Sequence, residues 1–225
     1  MNILVLGGGG REHALVWKIS KSPKCSNIFT SPGNAGTAAI SENVILEGFD
    51  EIKQFCLDQA INMLVVGPEQ PLVDGIRDYF QDNALDEIMI IGPDKTGSQL
   101  EGSKEFANNF MRKFNIPTSE YQSFDSNTIS EAKDYLKSKT PPYVIKADGL
   151  AAGKGVIIEN ELNKAEQAID EMLANNKFGI AGNKIVIEDF LKGIELSVFV
   201  LCDGKNYTIL PEAKDYKQIG EGDTG

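Results

Sequence analysis

The chain has 225 residues, enough for one large domain or two smaller ones, and 41% of them are apolar, as in a globular protein. Its formal charge of -11 excludes the clustered Lys and Arg that an extended nucleic-acid or anionic-membrane surface needs, so any phosphate site has to be local.

Residues 3–6 (ILVL) form a short apolar run, the pattern of a buried parallel strand, and the chain is charged too soon afterwards for a secretory signal. Gly7, Gly8, Gly9, Gly10, Arg11 and Glu12 follow at once, and Ala14, Leu15, Trp17 and Ile19 predict a helix ending before Pro23. Strand, glycine turn and helix N-terminus make an anion site, because unpaired N–H groups and the positive dipole end converge there. A dinucleotide fingerprint would need a third glycine at position 12, where Glu12 stands, and an acid at the end of the second strand. The second strand, 28–30, instead enters Ser31, Pro32, Gly33, Asn34, Ala35, Gly36 and Thr37. These residues disfavour a nicotinamide cofactor and favour a small phosphorylated ligand; a glycine turn serving only close packing is the alternative.

Asp50 is placed to cap a helix carrying Ile52, Phe55, Cys56 and Ala60. A third strand, 63–66, ends in Gly67, Pro68, Glu69, Gln70 and Pro71; a helix near 73–80 then precedes a strand at 88–91. This alternation predicts a doubly wound parallel sheet with its ligand crevice outside the carboxyl ends of the strands. Residues 8–11, 31–37 and 67–70 would share that crevice.

From about residue 95 the pattern changes. Ser103 is a predicted N-cap for a helix in which Phe106, Phe110 and Phe114 recur every fourth residue, a stripe expected to face the core. Lys104 in its first turn is poorly matched to the dipole unless an anion lies close, a solvated lysine being the alternative. Thr128 and Glu131 match a capping box.

The apolar run 143–145 then delivers Lys146 and a loop holding Gly149, Gly153, Lys154 and Gly155 before a second run, 156–158. Three glycines without Cβ let backbone N–H groups turn toward an anion, and two lysines add charge, so polyphosphate is the natural guest. The spacing is not that of the P-loop, which needs four residues between its glycines and a helix behind them. A hairpin tip with two solvated lysines is the alternative. A helix near 163–173 and a strand at 185–187, running into Glu188, complete a small α+β unit over 122–191. Residues 196–201 and 207–210 flank Asp203, Gly204, Lys205 and Asn206 as a hairpin, a marginal stopping point in water, so a truncated portion of a larger fold is expected. One histidine, His13, leaves no His-based metal cluster; Cys25, Cys56 and Cys202 form no C-x-x-C pair, so a reducing cytoplasm is expected.

Seven stretches together resemble the glycinamide ribonucleotide synthetase family of the ATP-grasp superfamily: LVLGGGGREHAL at 4–15, PGNAGT at 32–37, VGPEQPLVDG at 66–75, SKEFA at 103–107, VIKADGLAAGKGV at 144–156, EDFLKGIELS at 188–197 and PEAKDYK at 211–217. The resemblance implies an α/β protein, with an N-terminal doubly wound parallel-sheet domain (1–102) followed by a partial ATP-grasp fold. That fold would comprise an incomplete central domain (103–121 and 192–225) and a small α+β lid subdomain (122–191). It implies ATP-dependent ligation of glycine to 5-phosphoribosylamine through an acyl phosphate, in purine biosynthesis in the cytoplasm, with no nucleic-acid or membrane partner. Lys104 and Lys146 would contact the ATP phosphates, and Gly149, Leu150, Gly153, Lys154 and Gly155 would close over them as a flap. Glu188, Phe190 and Leu191 would read adenine, and Glu195 the ribose. Gly9, Gly10, Arg11, Glu12, Asn34, Gly36, Thr37, Pro68 and Glu69 would form the phosphoribosylamine side, with Asp215 and Lys217 at the reacting centre.

The resemblance also implies Mg²⁺ or Mn²⁺, with ligands expected beyond Gly225, and a fragment inactive by itself. Lys214, Tyr216 and Gln218 stand where that family has glutamine, histidine and arginine. Another ATP-grasp ligase or a non-catalytic nucleotide-binding module are the alternatives.

Overall fold

The computed structural model describes residues 1–225 apart from 152, 176, 215, 217–219 and 222–225. Its compact units are Met1–Asp189 and Phe190–Gly225.

The four strands expected over the first hundred residues are β1 (Asn2–Gly7), β2 (Asn27–Pro32), β4 (Met63–Val66) and β5 (Met89–Ile91); with β3 (Glu42–Asn43), a short polar strand that no apolar run announced, they form a parallel sheet of order β3-β2-β1-β4-β5. Successive side chains of a strand point to opposite faces, which divides the core in two. Leu4, Leu6, Leu64 and Val66 pack with Ile52 and Cys56 of α2 (Gly48–Asp58) and with Ile76 and Phe80 of a later helix. Ile3, Val5 and Val65 pack on the other face with Val16 of α1 (Gly10–Ser20). The strand order reverses between β1 and β4, so the crevice opens where β1 runs into its glycines and β4 into Gly67 and Pro68.

Three local expectations fail for identifiable reasons. The helix expected near 73–80 is two helices, α3 (Glu69–Asp74) and α4 (Ile76–Asp82), broken at Gly75, whose φ of 95° is left-handed. Asp50 does not cap α2; Glu51 reaches back to the Glu47 N–H at 2.8 Å, while Asp50 accepts from the Tyr79 hydroxyl and pairs with Lys53. Thr128 makes no capping bond, because its hydroxyl accepts instead from the Asp125 N–H at 2.8 Å.

After α5 (Lys95–Gly102) comes α6 (Lys104–Lys113), capped by Ser103, whose hydroxyl accepts from the Phe106 N–H at 3.1 Å. The phenylalanine stripe is not buried core: Phe106 is 38% and Phe114, at the end of α6, 54% exposed and Phe110 is half-buried, whereas Asn108, on another face, is buried. A period of four shows that a helix has an apolar face, not that anything covers it. The core of the following sheet closes without α6.

That sheet is antiparallel, in the order β6-β9-β7-β8, with β6 at Tyr121–Asp125, β7 at Tyr143–Ala147, β8 at Val156–Glu159 and β9 at Lys184–Glu188. One face is covered by α7 (Ile129–Lys137) and α8 (Leu162–Ile169), the latter continuing as one π-helical turn, Asp170–Ala174; Leu136, Ile145, Ile169, Met172 and Ile187 fill the space between.

In the second unit β10 (Leu196–Ser197) pairs with β13 (Ala213–Lys214), and β11 (Val200–Cys202) with β12 (Tyr207–Ile209). The expected hairpin is therefore shorter than 196–210, with its first two residues bound elsewhere. Its turn is held by Asp203, which accepts from the Lys205 and Asn206 N–H groups at 2.8 and 2.6 Å; these bonds, that to Asn206 foremost, bring its carboxyl down to about 2. Among the described residues no helix is long and apolar enough to cross a membrane.

Candidate functional site

Two places gather the residues that the sequence singles out. The first is the crevice at the carboxyl ends of β1, β2 and β4. Gly9, Gly10 and Arg11 are exposed there, and Arg11 Nη1 lies 3.9 Å from Glu69 Oε1 in a loose, solvated pair beside Pro68. Asn34 joins two of the loops: its Nδ2 donates to the Gly8 and Gly9 carbonyls at 3.0 and 3.2 Å, and its Oδ1 accepts from the Gly36 and Thr37 N–H groups at 2.8 and 3.0 Å. Thr37 is buried, with its hydroxyl accepting from the Asn34 N–H at 2.8 Å.

Glu12 is not open to a ligand. It is 7% exposed, and its Oε2 accepts from the Gly9 N–H at 2.6 Å, so the helix N-terminus already holds an internal anion. A Cβ on Gly7 or Gly67 would lie 2.5 Å from Glu12 Cγ, and one on Gly9 would lie 2.8 Å from its Oε2. These glycines make room for a carboxylate. A Cβ on Gly36 would likewise sit 2.3 Å from the His13 ring, which places the chain's one histidine against the crevice. Sequence reasoning passed over His13 because it had no second ligand or triad partner nearby.

The second place lies beneath the β7–β8 hairpin. Lys146 on β7 and Glu188 at the end of β9 face each other, Nζ to Oε2 at 2.6 Å, because β7 and β9 are adjacent antiparallel strands with Lys146 two residues from Val144, the partner of Glu188. Ser119 donates to the same carboxylate oxygen at 3.2 Å and Asn108 to the other at 3.2 Å.

Lys104 lies at the N-terminus of α6, where a cation meets the wrong end of the dipole. The anion that this placement calls for is Asp148, which accepts from the Glu105 N–H at 2.7 Å and from the Ser103 hydroxyl at 3.0 Å. Lys104 Nζ donates to the Asp148 and Gly149 carbonyls, both at 3.4 Å, and its backbone N–H donates to the Asp148 carbonyl at 3.2 Å. Burial pushes its ammonium below the ordinary lysine value; Asp148 works against that shift and Lys146 adds to it. A desolvated cation beside a second lysine is an arrangement that a polyphosphate would relieve.

The glycine loop is held at its base. The Gly149 N–H donates to the Ala181 carbonyl at 3.1 Å, Ala147 to Gly155 at 2.7 Å and Lys154 to Ala151 at 2.9 Å. Of the three glycine amides expected to turn toward an anion, that of Gly149 is thus committed within the protein, as is the amide of Lys154. Gly149 is required by proximity, since a Cβ would come within 2.8 Å of Ala181 Cα, and Gly153 by its φ of 74°. Leu150 is half-buried and Lys154 is exposed.

Phe190, Leu191 and Glu195 belong to the second unit, where the first two are exposed. Asp215, Lys217 and Gln218 lie outside the described residues. Asn108, Ser119 and Asp148 were not singled out from the sequence; each is a common polar residue whose partner is 43 to 80 positions away. Among the described residues, no three His, Cys, Asp or Glu side chains are gathered to hold a metal ion.

A doubly wound parallel sheet followed by an antiparallel sheet with a lysine-bearing, glycine-rich hairpin defines an ATP-grasp protein. Residues 1–101 match the family described as Phosphoribosylglycinamide synthetase, N domain, and residues 102–225 match its ATP-grasp (A) domain. The chain belongs to the phosphoribosylglycinamide synthetase family. It is 48% identical to the phosphoribosylamine–glycine ligase of Haemophilus influenzae, a match covering 100% of this chain and 52% of that protein. The chain thus spans about half the length of the curated relatives it matches.

Among solved structures, a phosphoribosylamine–glycine ligase from Thermotoga maritima superimposes with a TM-score of 0.81 at 33% identity, over 100% of this chain and 53% of that one. The biotin carboxylase domain of the Hydrogenobacter thermophilus 2-oxoglutarate carboxylase, solved with MgADP and bicarbonate, shares the fold, with a TM-score of 0.70 at 18% identity over 96% of this chain and 50% of that one.

Proposed function

We propose that this chain supplies the substrate domain and the nucleotide lid of an ATP-dependent phosphoribosylamine–glycine ligase of the cytoplasm. The observation that carries the reading is the convergence of Lys104, Lys146 and Glu188 beneath a glycine-rich hairpin, in a chain that matches such ligases along its whole length.

In this reading the γ-phosphoryl group of ATP passes to a carboxylate oxygen of glycine and ADP leaves. The amine nitrogen of 5-phosphoribosylamine then attacks the acyl carbon and loses a proton, and phosphate departs with the former carboxylate oxygen. No protein nucleophile is needed, so the contribution of the chain is positioning and neutralisation of charge. Lys104 and Lys146 meet the phosphates; Gly149, Leu150, Gly153, Lys154 and Gly155 cover them; Glu188, Phe190 and Leu191 read the base and Glu195 the ribose. Gly9, Gly10, Arg11, Gly36, Thr37, Pro68 and Glu69 take the phosphoribosylamine, with Glu12 and Asn34 shaping the loops that do so. Asp215 and Lys217 attend the reacting centre. The domain division is 1–102, then 103–121 with 192–225, and 122–191. Mg²⁺ accompanying the nucleotide would take its protein ligands from outside the described residues.

Complementation tests this. A purine auxotroph lacking the ligase should grow on the gene for the intact protein and not on its Lys146→Ala version. Growth on the variant, or none on the wild-type gene while its protein accumulates, would overturn the reading.

A further inference from the structure

The one residue that α6 buries is polar. Asn108 is 4% exposed, and such a group is costly to bury unless each of its atoms is partnered. Its Nδ2 donates to Glu188 Oε1 at 3.2 Å, and its Oδ1 accepts from the Thr118 hydroxyl at 2.9 Å. The amide has one workable orientation. Turned over, its oxygen would oppose a carboxylate that can only accept; as it stands, Thr118 supplies the donor that the amide oxygen needs. Ser119, also buried, and Lys146 fix the other carboxylate oxygen of Glu188. An ionised carboxylate offers about four acceptor positions, and three are taken, so roughly one is left for a ligand. Lys104 and Asn108 are four residues apart on one face of α6, so a single rigid helix carries both a cation for the phosphates and the amide that aims Glu188.

We propose that Asn108, oriented by Thr118, is a positioning residue for base selection: it holds Glu188 as a fixed acceptor for the exocyclic amine of a 6-aminopurine nucleotide. The inference rests on the reading above that Glu188 faces the base. A fixed acceptor rejects a 6-oxopurine, whose oxygen presents no donor.

The test is equilibrium binding of ATP and of inosine triphosphate to the intact protein, measured calorimetrically. Asn108→Ala should weaken ATP roughly tenfold and inosine triphosphate little, collapsing the preference between them. Thr118→Val should shift the preference the same way by a smaller factor, and it serves the same test should the first variant not fold. In a Glu188→Ala background, Asn108→Ala should cause no further loss. If Glu188→Ala leaves ATP binding intact, the reading of the site is wrong and the inference goes with it. If Glu188→Ala weakens ATP but Asn108→Ala and Thr118→Val leave the preference unchanged, or add their full loss on top, the inference alone is overturned.

Discussion

Glu12 closes the N-terminus of α1 with the protein's own carboxylate, where a dinucleotide fold would place a phosphate. Glu12→Ala should therefore cost about 1–2 kcal/mol in urea denaturation, the usual worth of a cap. Gly67→Ala should cost more, because its Cβ would meet both Glu12 Cγ at 2.5 Å and the Leu6 carbonyl at 2.7 Å, and backbone cannot move aside as a side chain can. Equal losses would contradict this account of the glycines. Lys104 makes a pH-dependent prediction. Its folded-state value is lowered by burial, so it binds fewer protons folded than unfolded, and the penalty is present in full below the folded value. That penalty is relieved as pH rises toward the ordinary lysine value of 10.5. Wild-type stability should accordingly gain on that of Lys104→Met between neutral pH and pH 10; a difference independent of pH would exclude a depressed Lys104. Cys56 is fully buried and its thiol is pushed up to about 12 by that burial, so a thiol reagent should label Cys202 and Cys25 in the native protein and reach Cys56 only on unfolding.

At the scale of elements, α6 and the glycine loop form one assembly joined through Asp148. Its carboxylate caps the helix, and its carbonyl accepts from the backbone N–H and from Nζ of Lys104. Asp148→Asn keeps the shape and removes the charge, and should destabilise by about 1 kcal/mol through the helix dipole and the neighbouring lysine. Hydrogen exchange separates the ends of the loop from its tip: Gly149 and Lys154, with bonded amides, should exchange more slowly than Gly153. Uniformly fast exchange across 149–154 would show that the base is not held. The exposure of Phe106 and Phe114 belongs to the same picture, since the face of α6 carrying Lys104 and Asn108 is the one turned to the loop and to Glu188.

Across the whole molecule, four of the five strands of the parallel sheet were legible from short apolar runs, of which 3–6 lies inside β1 and 63–66 coincides with β4, each leading into glycine; β3 is two polar residues and left no such run. Strand order was not legible, since pairing is set by contacts between runs that look alike. As candidates, Lys104 and Lys146 were legible from a helix start and a glycine-rich loop, and Glu188 through motif resemblance. Asn108 and Ser119 were not, because a buried amide or hydroxyl is defined by a partner far along the chain, and single-sequence periodicity reports only neighbours one or two turns away. The stripe at Phe106 and Phe114 was misassigned for the converse reason, its periodicity being strong and its cover absent among the described residues. The chemistry is tested most directly by ADP release from the intact protein with each co-substrate supplied in turn. Sustained release, turnover after turnover, is expected only when glycine and phosphoribosylamine are present together; sustained release with bicarbonate replacing glycine, or nucleotide binding with no substrate-dependent release, would contradict the reading.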